Sequence, residues 1–197
     1  MKIVLSRYLL LLFAFTLSLN TAFADMFDEE EDQSATAKTV PEGTPLYTTI
    51  NIWYERQGKI FPLFHRGAIL PVGTKVTLGD MNSKAFKFKT EVGTEYRIYS
   101  RKYYKMTGQE MSNLFFSSKN PMAKGGQFHK FSKTEQKQIK SGKLIVGMSR
   151  KAAIMAYGYP PTHVNPDINA DTWQLWKSRW DKLQVTFKNN KISNILD

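Results

Sequence analysis

The chain has 197 residues, room for one domain or two small ones, and carries 28 Lys and Arg against 17 Asp and Glu for a formal net charge of +11. It contains no cysteine, which excludes disulfides, a thiol nucleophile and the lipidated cysteine that follows the leader of a bacterial lipoprotein. The basic excess favours anionic partners: lipid headgroups, lipopolysaccharide, acidic glycans or an acidic protein. A solvated Lys-rich surface is the plainer alternative.

The first residues set the address. Lys2 and Arg7 precede a short apolar run, Tyr8 to Phe15 with Leu17 and Leu19, and Ala22-Phe23-Ala24 follows. This is the pattern of a cleaved secretory leader over residues 1–24, with Ala22 and Ala24 forming the signal peptidase site. The run falls short of the roughly 20 residues that a membrane span needs. The expected location is the periplasm, or peripheral to the outer membrane, without lipidation. Nucleic acid is the least favoured partner in such a compartment.

Residues 25–44 predict a disordered acidic leader. Asp25, Asp28, Glu29, Glu30, Glu31 and Asp32 cluster there, with almost no large apolar residue after Phe27. Lys2 and Arg7 leave with the first segment and these six acids sit in the second. Without Lys2, Arg7 and these six acids, the chain holds 26 basic against 11 acidic residues.

Residues 45–106 predict a small all-β module. Leu46 to Tyr54 is rich in β-branched and aromatic residues, and Lys59 to Phe64 forms a second strand. Ala68 to Leu78 is a third segment, broken at Pro71-Val72-Gly73. Ala85 to Thr90 and Glu95 to Ser100 alternate apolar and basic residues across a turn at Val92-Gly93-Thr94. Short strands without intervening helices suggest a barrel or curled sheet. The phrase Gly67-Ala68-Ile69-Leu70-Pro71-Val72-Gly73-Thr74-Lys75-Val76 resembles the middle of bacterial SH3-like barrels. Outward positions bring up Lys87, Lys89 and Arg97, continued by Arg101, Lys102 and Tyr103. Cations interleaved with aromatic rings suit sugar rings or phosphates, so this strip is the candidate ligand face.

Residues 107–129 predict a connector helix and loop. Thr107-Gly108-Gln109-Glu110 is a capping box, and Pro121 with Gly125-Gly126 marks a boundary. A second capping box, Ser132-Lys133-Thr134-Glu135, opens a Lys-rich helix that Gly142 stops.

The last stretch, residues 130–197, holds the strongest local signals. Ser149 caps a helix with Ala152, Ala153, Ala156 and Tyr157 on an apolar face, joined by Ile154 and Met155; Gly158 ends it as a left-handed C-terminal residue and Pro160-Pro161 bars continuation. Thr172 to Trp176, Leu183 to Phe187 and Lys191 to Ile195 read as strands, with Asn189-Asn190 as a positive-φ turn. The order is helix, helix, strand, strand, strand. Gly142, Gly147, Met148, Ser149, Gly158 and Pro160, followed by Trp173, Trp176, Val185, Phe187 and Asn189 to Ile192, resemble the motifs of the SmpA/OmlA (BamE-like) envelope family. The resemblance implies a two-helix, three-strand antiparallel module that binds proteins in the cell envelope, at a barrel-assembly or secretion machine. Family members of the assembly branch carry a lipidated cysteine and lack the β module in front.

The expected fold is thus α+β, an SH3-like barrel followed by a BamE-like module. Alternation puts Trp173 and Leu175 on one strand face and Trp176 on the other, so Trp173, Trp176 and Trp180 form the candidate protein interface. His65, His129 and His163 are scattered, and hydrolase, zinc-protease and phosphate-loop motifs do not occur. The sequence therefore predicts a non-catalytic accessory protein without metal or cofactor, docking on an envelope complex. The alternative is a peptidoglycan- or anionic-lipid-binding module that uses the basic and aromatic β face.

Overall fold

A computed structural model describes residues 43–197, which fall within one compact unit. The fold is α+β. Strands β1 (Pro45–Thr48), β2 (Ile52–Tyr54), β3 (Ala68–Leu70), β4 (Lys75–Met81), β5 (Ala85–Thr90) and β6 (Glu95–Tyr99) come first. Helices α1 (Arg101–Tyr104) and α2 (Gly108–Phe115) follow, then the two-residue β7 (Phe116–Ser117). After a 3-10 turn come α3 (Lys133–Ser141), α4 (Arg150–Tyr157) and the strands β8 (Thr172–Trp176), β9 (Lys182–Lys188) and β10 (Lys191–Leu196).

No closed barrel forms. The five-stranded antiparallel sheet has the order β6-β5-β4-β1-β7, and β2 and β3 pair separately as a hairpin. The reason lies in Thr49 to Asn51, where the expected strand Leu46–Tyr54 breaks. Thr49 donates its amide to the Phe115 carbonyl at 2.8 Å and its hydroxyl to the Leu114 carbonyl at 2.6 Å. Asn51 donates its amide to the Met155 carbonyl at 3.0 Å. These bonds turn the chain out of the sheet toward α2 and α4, and β2 leaves with it. The expected strand Lys59–Phe64 is likewise absent, reduced to single bridges at Ile60 with Ile98 and at Phe64 with Trp176.

The 107–129 segment is more than a connector. Its last two helical neighbours become β7, which pairs with β1 at Tyr47 with Ser117 and Thr48 with Phe116. Phe116 joins Phe86 and Phe88 in the core, with ring centroids 5.7 and 5.0 Å away.

Both capping boxes form, Thr107 with Glu110 and Ser132 with Glu135. Glu135 also accepts the Ser149 amide at 2.8 Å, tying the start of α3 to the start of α4. Burial opposes ionisation of this carboxyl, but the bonds from Ser149 and Ser132 prevail and hold its pKa below the usual value.

Helix α4 departs from the one-sided helix expected. Arg150 and every residue from Ala152 to Tyr157 are buried. Such a helix is covered on all sides. At its start Ser149 accepts from the Ala152 amide, Met148 is buried, and Gly147 has φ +88° and donates to the Ile192 carbonyl at 2.7 Å. Gly158 has φ +96° and ψ 172°, positive as expected but outside the left-handed helical region, and Pro160 behind it is buried.

Candidate functional site

The expected ligand strip is divided by its own acids. Lys87 and Arg97 face each other across β5 and β6, a like-charge pair that Asp80 relieves. The Lys87 ammonium donates to Asp80 at 2.7 Å, which raises the lysine's pKa and lowers the aspartate's. Lys89 meets Glu95 at 3.5 Å. Arg97, Arg101 and Lys102 enter no ion pair among the described residues. Arg97 instead lies 5.0 Å over the Tyr99 ring and Lys102 lies 5.1 Å over Tyr103.

These two pairs belong to a larger array. Tyr99 packs on Phe61 with centroids 5.2 Å apart, Phe61 on Tyr103 at 6.2 Å, Tyr103 on His163 at 5.5 Å, and His163 on Trp176 at 5.6 Å. All but exposed His163 are half-buried, so the rings form a continuous surface band. Lys59 stands 5.6 Å over Phe61 and Lys182 stands 5.8 Å over Trp176. The band crosses from β6 and α1 to the end of β8. It thereby unites part of the expected strip (Arg97, Lys102, Tyr103) with one of the three expected interface tryptophans, Trp176.

Backbone bonds hold the band at this seam. Ile60 donates to the Arg97 carbonyl at 2.8 Å and accepts from the Tyr99 amide at 3.0 Å, which fixes Phe61 beside Tyr99. His163 points both its amide and Nδ1 at the Tyr103 carbonyl, at 3.2 and 3.0 Å. The Tyr104 hydroxyl, directed at the carbonyls of Pro62 (2.6 Å) and Tyr159 (2.9 Å), locks α1 to the loops on either side. Burial raises the pKa of Tyr104, so this donor stays protonated.

Under the seam lies His65. Its amide and Nδ1 both donate to the Trp176 carbonyl, at 3.0 and 2.7 Å, and its ring stacks on Tyr157 at 3.9 Å. Burial pulls its pKa down to about 4, against the smaller raising effect of backbone bonds to Trp176 and Tyr157. The imidazole is therefore neutral at ordinary pH. It is a structural tie between the β module and β8.

Beside the band opens a cleft of about 270 Å³. Trp53, Tyr54, Phe61 and Phe64 wall it, and Arg56, Lys59, Arg66 and Glu55 line it as well. Arg66 is paired to Glu55 at 2.8 Å. Phe61 and Lys59 belong to both the cleft and the band.

The other expected interface residues separate. Trp173 is a core residue, 1% exposed, with its indole N–H donating to the Ile168 carbonyl at 3.0 Å and its ring 4.5 Å from Phe187. The alternation that put it opposite Trp176 also put it against α4. Trp180 is 85% exposed, with Arg179 5.1 Å over its ring. Ala22 and Ala24 lie outside the described residues.

Three residues that organise the fold or the site carry no sequence signal of their own. Asn51 is buried, donates to the carbonyls of Ile139 (2.6 Å) and Ala156 (3.0 Å), and accepts from the Val72 amide at 2.9 Å. Arg150, 4% exposed, is held by Asn190 Oδ1 at 3.0 Å and the carbonyls of Ile168 (2.7 Å) and Ala170 (2.9 Å), with its guanidinium 3.9 Å over Phe187. Phe61 is the third: a strand reading gave no cue that it would bridge Tyr99 and Tyr103. Among the described residues no cluster of His, Asp or Glu could hold a metal ion, and no helix is long and apolar enough to cross a membrane. No protein-family model, curated protein or solved structure matches the chain.

Proposed function

We propose that this chain is a non-catalytic, exported protein of the cell envelope that binds an anionic wall glycan along its seam. The observation that carries the reading is the unbroken run of five rings from Tyr99 to Trp176 with Arg97, Lys59, Lys102 and Lys182 set over its members. The apolar C–H faces of sugar rings pack on aromatic faces, while the cations meet carboxylates. The leader signals at Lys2, Arg7, Ala22 and Ala24 support export, and the basic excess supports an anionic partner. Co-sedimentation with purified peptidoglycan tests it. The chain should pellet at low salt and less so at high salt, and Lys102→Ala with Tyr103→Ala should weaken pelleting by about tenfold. Equal pelleting by this variant would refute the assignment of the face.

A second reading has its own observation. Trp180 projects into solvent from the turn between β8 and β9, and a large exposed ring suits a protein interface. The order α3, α4, β8, β9, β10 is also the order that the SmpA/OmlA resemblance implies. On this reading the C-terminal part is a BamE-like module docking on an outer-membrane or periplasmic complex. Site-directed photo-crosslinking from position 180 in envelopes would capture the partner. Recovery of uncrosslinked chain alone would set the reading aside.

A further inference from the structure

We propose that the cleft beside the ring band is an anchoring subsite for one carboxylate-bearing sugar of an acidic glycan. The proposal rests on the seam face being the ligand surface and names the chemistry that this face selects. Size comes first. Pockets that engulf a drug-sized molecule run to roughly 300–1,000 Å³, and this cleft of about 270 Å³ holds a single sugar-sized unit.

Charge comes next. Of the three cations lining the cleft, Arg66 is already paired with Glu55 at 2.8 Å. Arg56 and Lys59 enter no ion pair among the described residues. A carboxylate between them would accept charge-assisted bonds, and the guanidinium fork can take both of its oxygens. The walls then decide between anions. An isolated phosphate or a lipid headgroup would satisfy Arg56 and Lys59 but present no apolar face to the walls formed by Tyr54, Phe61 and Phe64. An acidic pyranose supplies the carboxylate and an apolar ring face together. Continuity completes the argument: Phe61 both walls the cleft and stands in the band between Tyr99 and Tyr103. A sugar held here would direct the adjoining units onto those rings.

The test is an NMR titration of the amide spectrum of the whole chain with four probes: tetragalacturonate, neutral cellotetraose, inorganic phosphate, and phosphatidylglycerol vesicles. Tetragalacturonate should shift the amides of residues 54–66 at concentrations where the other three leave them in place. The double variant Arg56→Ala/Lys59→Ala should raise its Kd on the order of tenfold, the loss expected for charge-assisted bonds. A control removing the same charge elsewhere, Lys119→Ala/Lys124→Ala, should raise it by no more than about twofold, the screened long-range effect. Unchanged spectra away from the cleft would show that each variant folds. Equal losses in the two variants would overturn the subsite and leave the seam face standing. Shifts caused by phosphate or vesicles but not by tetragalacturonate would overturn the choice of a sugar. Pelleting with peptidoglycan without any tetragalacturonate response would overturn the acidic-sugar inference alone, and failure of both assays would overturn both.

Discussion

Acid should loosen this protein before its carboxylates titrate, and His65 is the reason. The ring is buried, donates through Nδ1 to the Trp176 carbonyl, and has its pKa lowered from 6.5 to about 4, chiefly by burial. A lowered value means that the unfolded chain takes up a proton before the native one does. The contribution of His65 is therefore complete above pH 6.5, drains as the pH falls, and is spent near pH 4. Each pKa unit corresponds to about 1.4 kcal/mol, so the whole window is worth about 3 kcal/mol, of which about 2 kcal/mol is lost by pH 5. Urea unfolding of the wild type and of His65→Gln at pH 7.5 and pH 5 measures it. Glutamine keeps a donor for the Trp176 carbonyl and does not titrate. The variant should be less stable at pH 7.5, yet the wild type should lose about 2 kcal/mol more on going to pH 5. Equal losses in the two proteins, or a native imidazole that titrates near 6.5, would refute the assignment.

Asn51→Ala should destabilise by about 4 kcal/mol in urea unfolding, because it strips partners from two buried carbonyls and one buried amide at about 1–3 kcal/mol each. Asn51→Asp, nearly the same shape, should be no better, since it turns an acceptor toward the carbonyls of Ile139 and Ala156; wild-type stability in either variant would contradict the role given to this side chain. Gly142→Ala should cost about 1–3 kcal/mol: φ is +64°, and a Cβ there would lie 2.5 Å from Ile69 Cδ1 and 2.7 Å from Trp53 Cζ2. A thermal midpoint equal to the wild type would show that α3 can shift off the β2–β3 hairpin without loss.

Local signals survive in this structure where the physics that creates them is local. Thr107 with Glu110 and Ser132 with Glu135 cap helices because the partners are three residues apart. Asn189 and Asn190 adopt φ of 53° and 58° because asparagine tolerates that region and a tight hairpin demands it. The alternation in Thr172 to Trp176 correctly separates Trp173 from Trp176. What escapes is long-range. Leu46 to Tyr54 reads as one strand, and only bonds to Leu114, Phe115 and Met155, more than sixty residues away, break it and keep the sheet open. Arg150 looks like a surface cation at a helix start, yet carbonyls from a loop some twenty residues on make its burial tolerable. The basic strip was legible as residue types, but the acids that neutralise Lys87 and Lys89 sit on facing strands whose register the alternation leaves open.

The site has the same long-range character. Tyr99 and Tyr103 come from β6 and α1, Phe61 from the loop after β2, His163 from the loop after α4, and Trp176 from the end of β8. None of these segments presents more than a short piece of the band. The continuous face exists only while the β module and the C-terminal strands are docked; the buried His65 holds β8 directly, while Asn51 ties the β module to α3 and α4, and Tyr104 ties α1 to the loop after α4. A ligand spanning the band contacts both sides of the junction, so its binding energy also opposes their separation. The link is tightest at one end, because the carbonyl that His65 holds belongs to Trp176, whose ring terminates the band. Protonating that histidine keeps its bond to the Trp176 carbonyl but places a charge in a buried site, so the docked junction is weakened, and the ring face that exists only while it is docked is weakened with it.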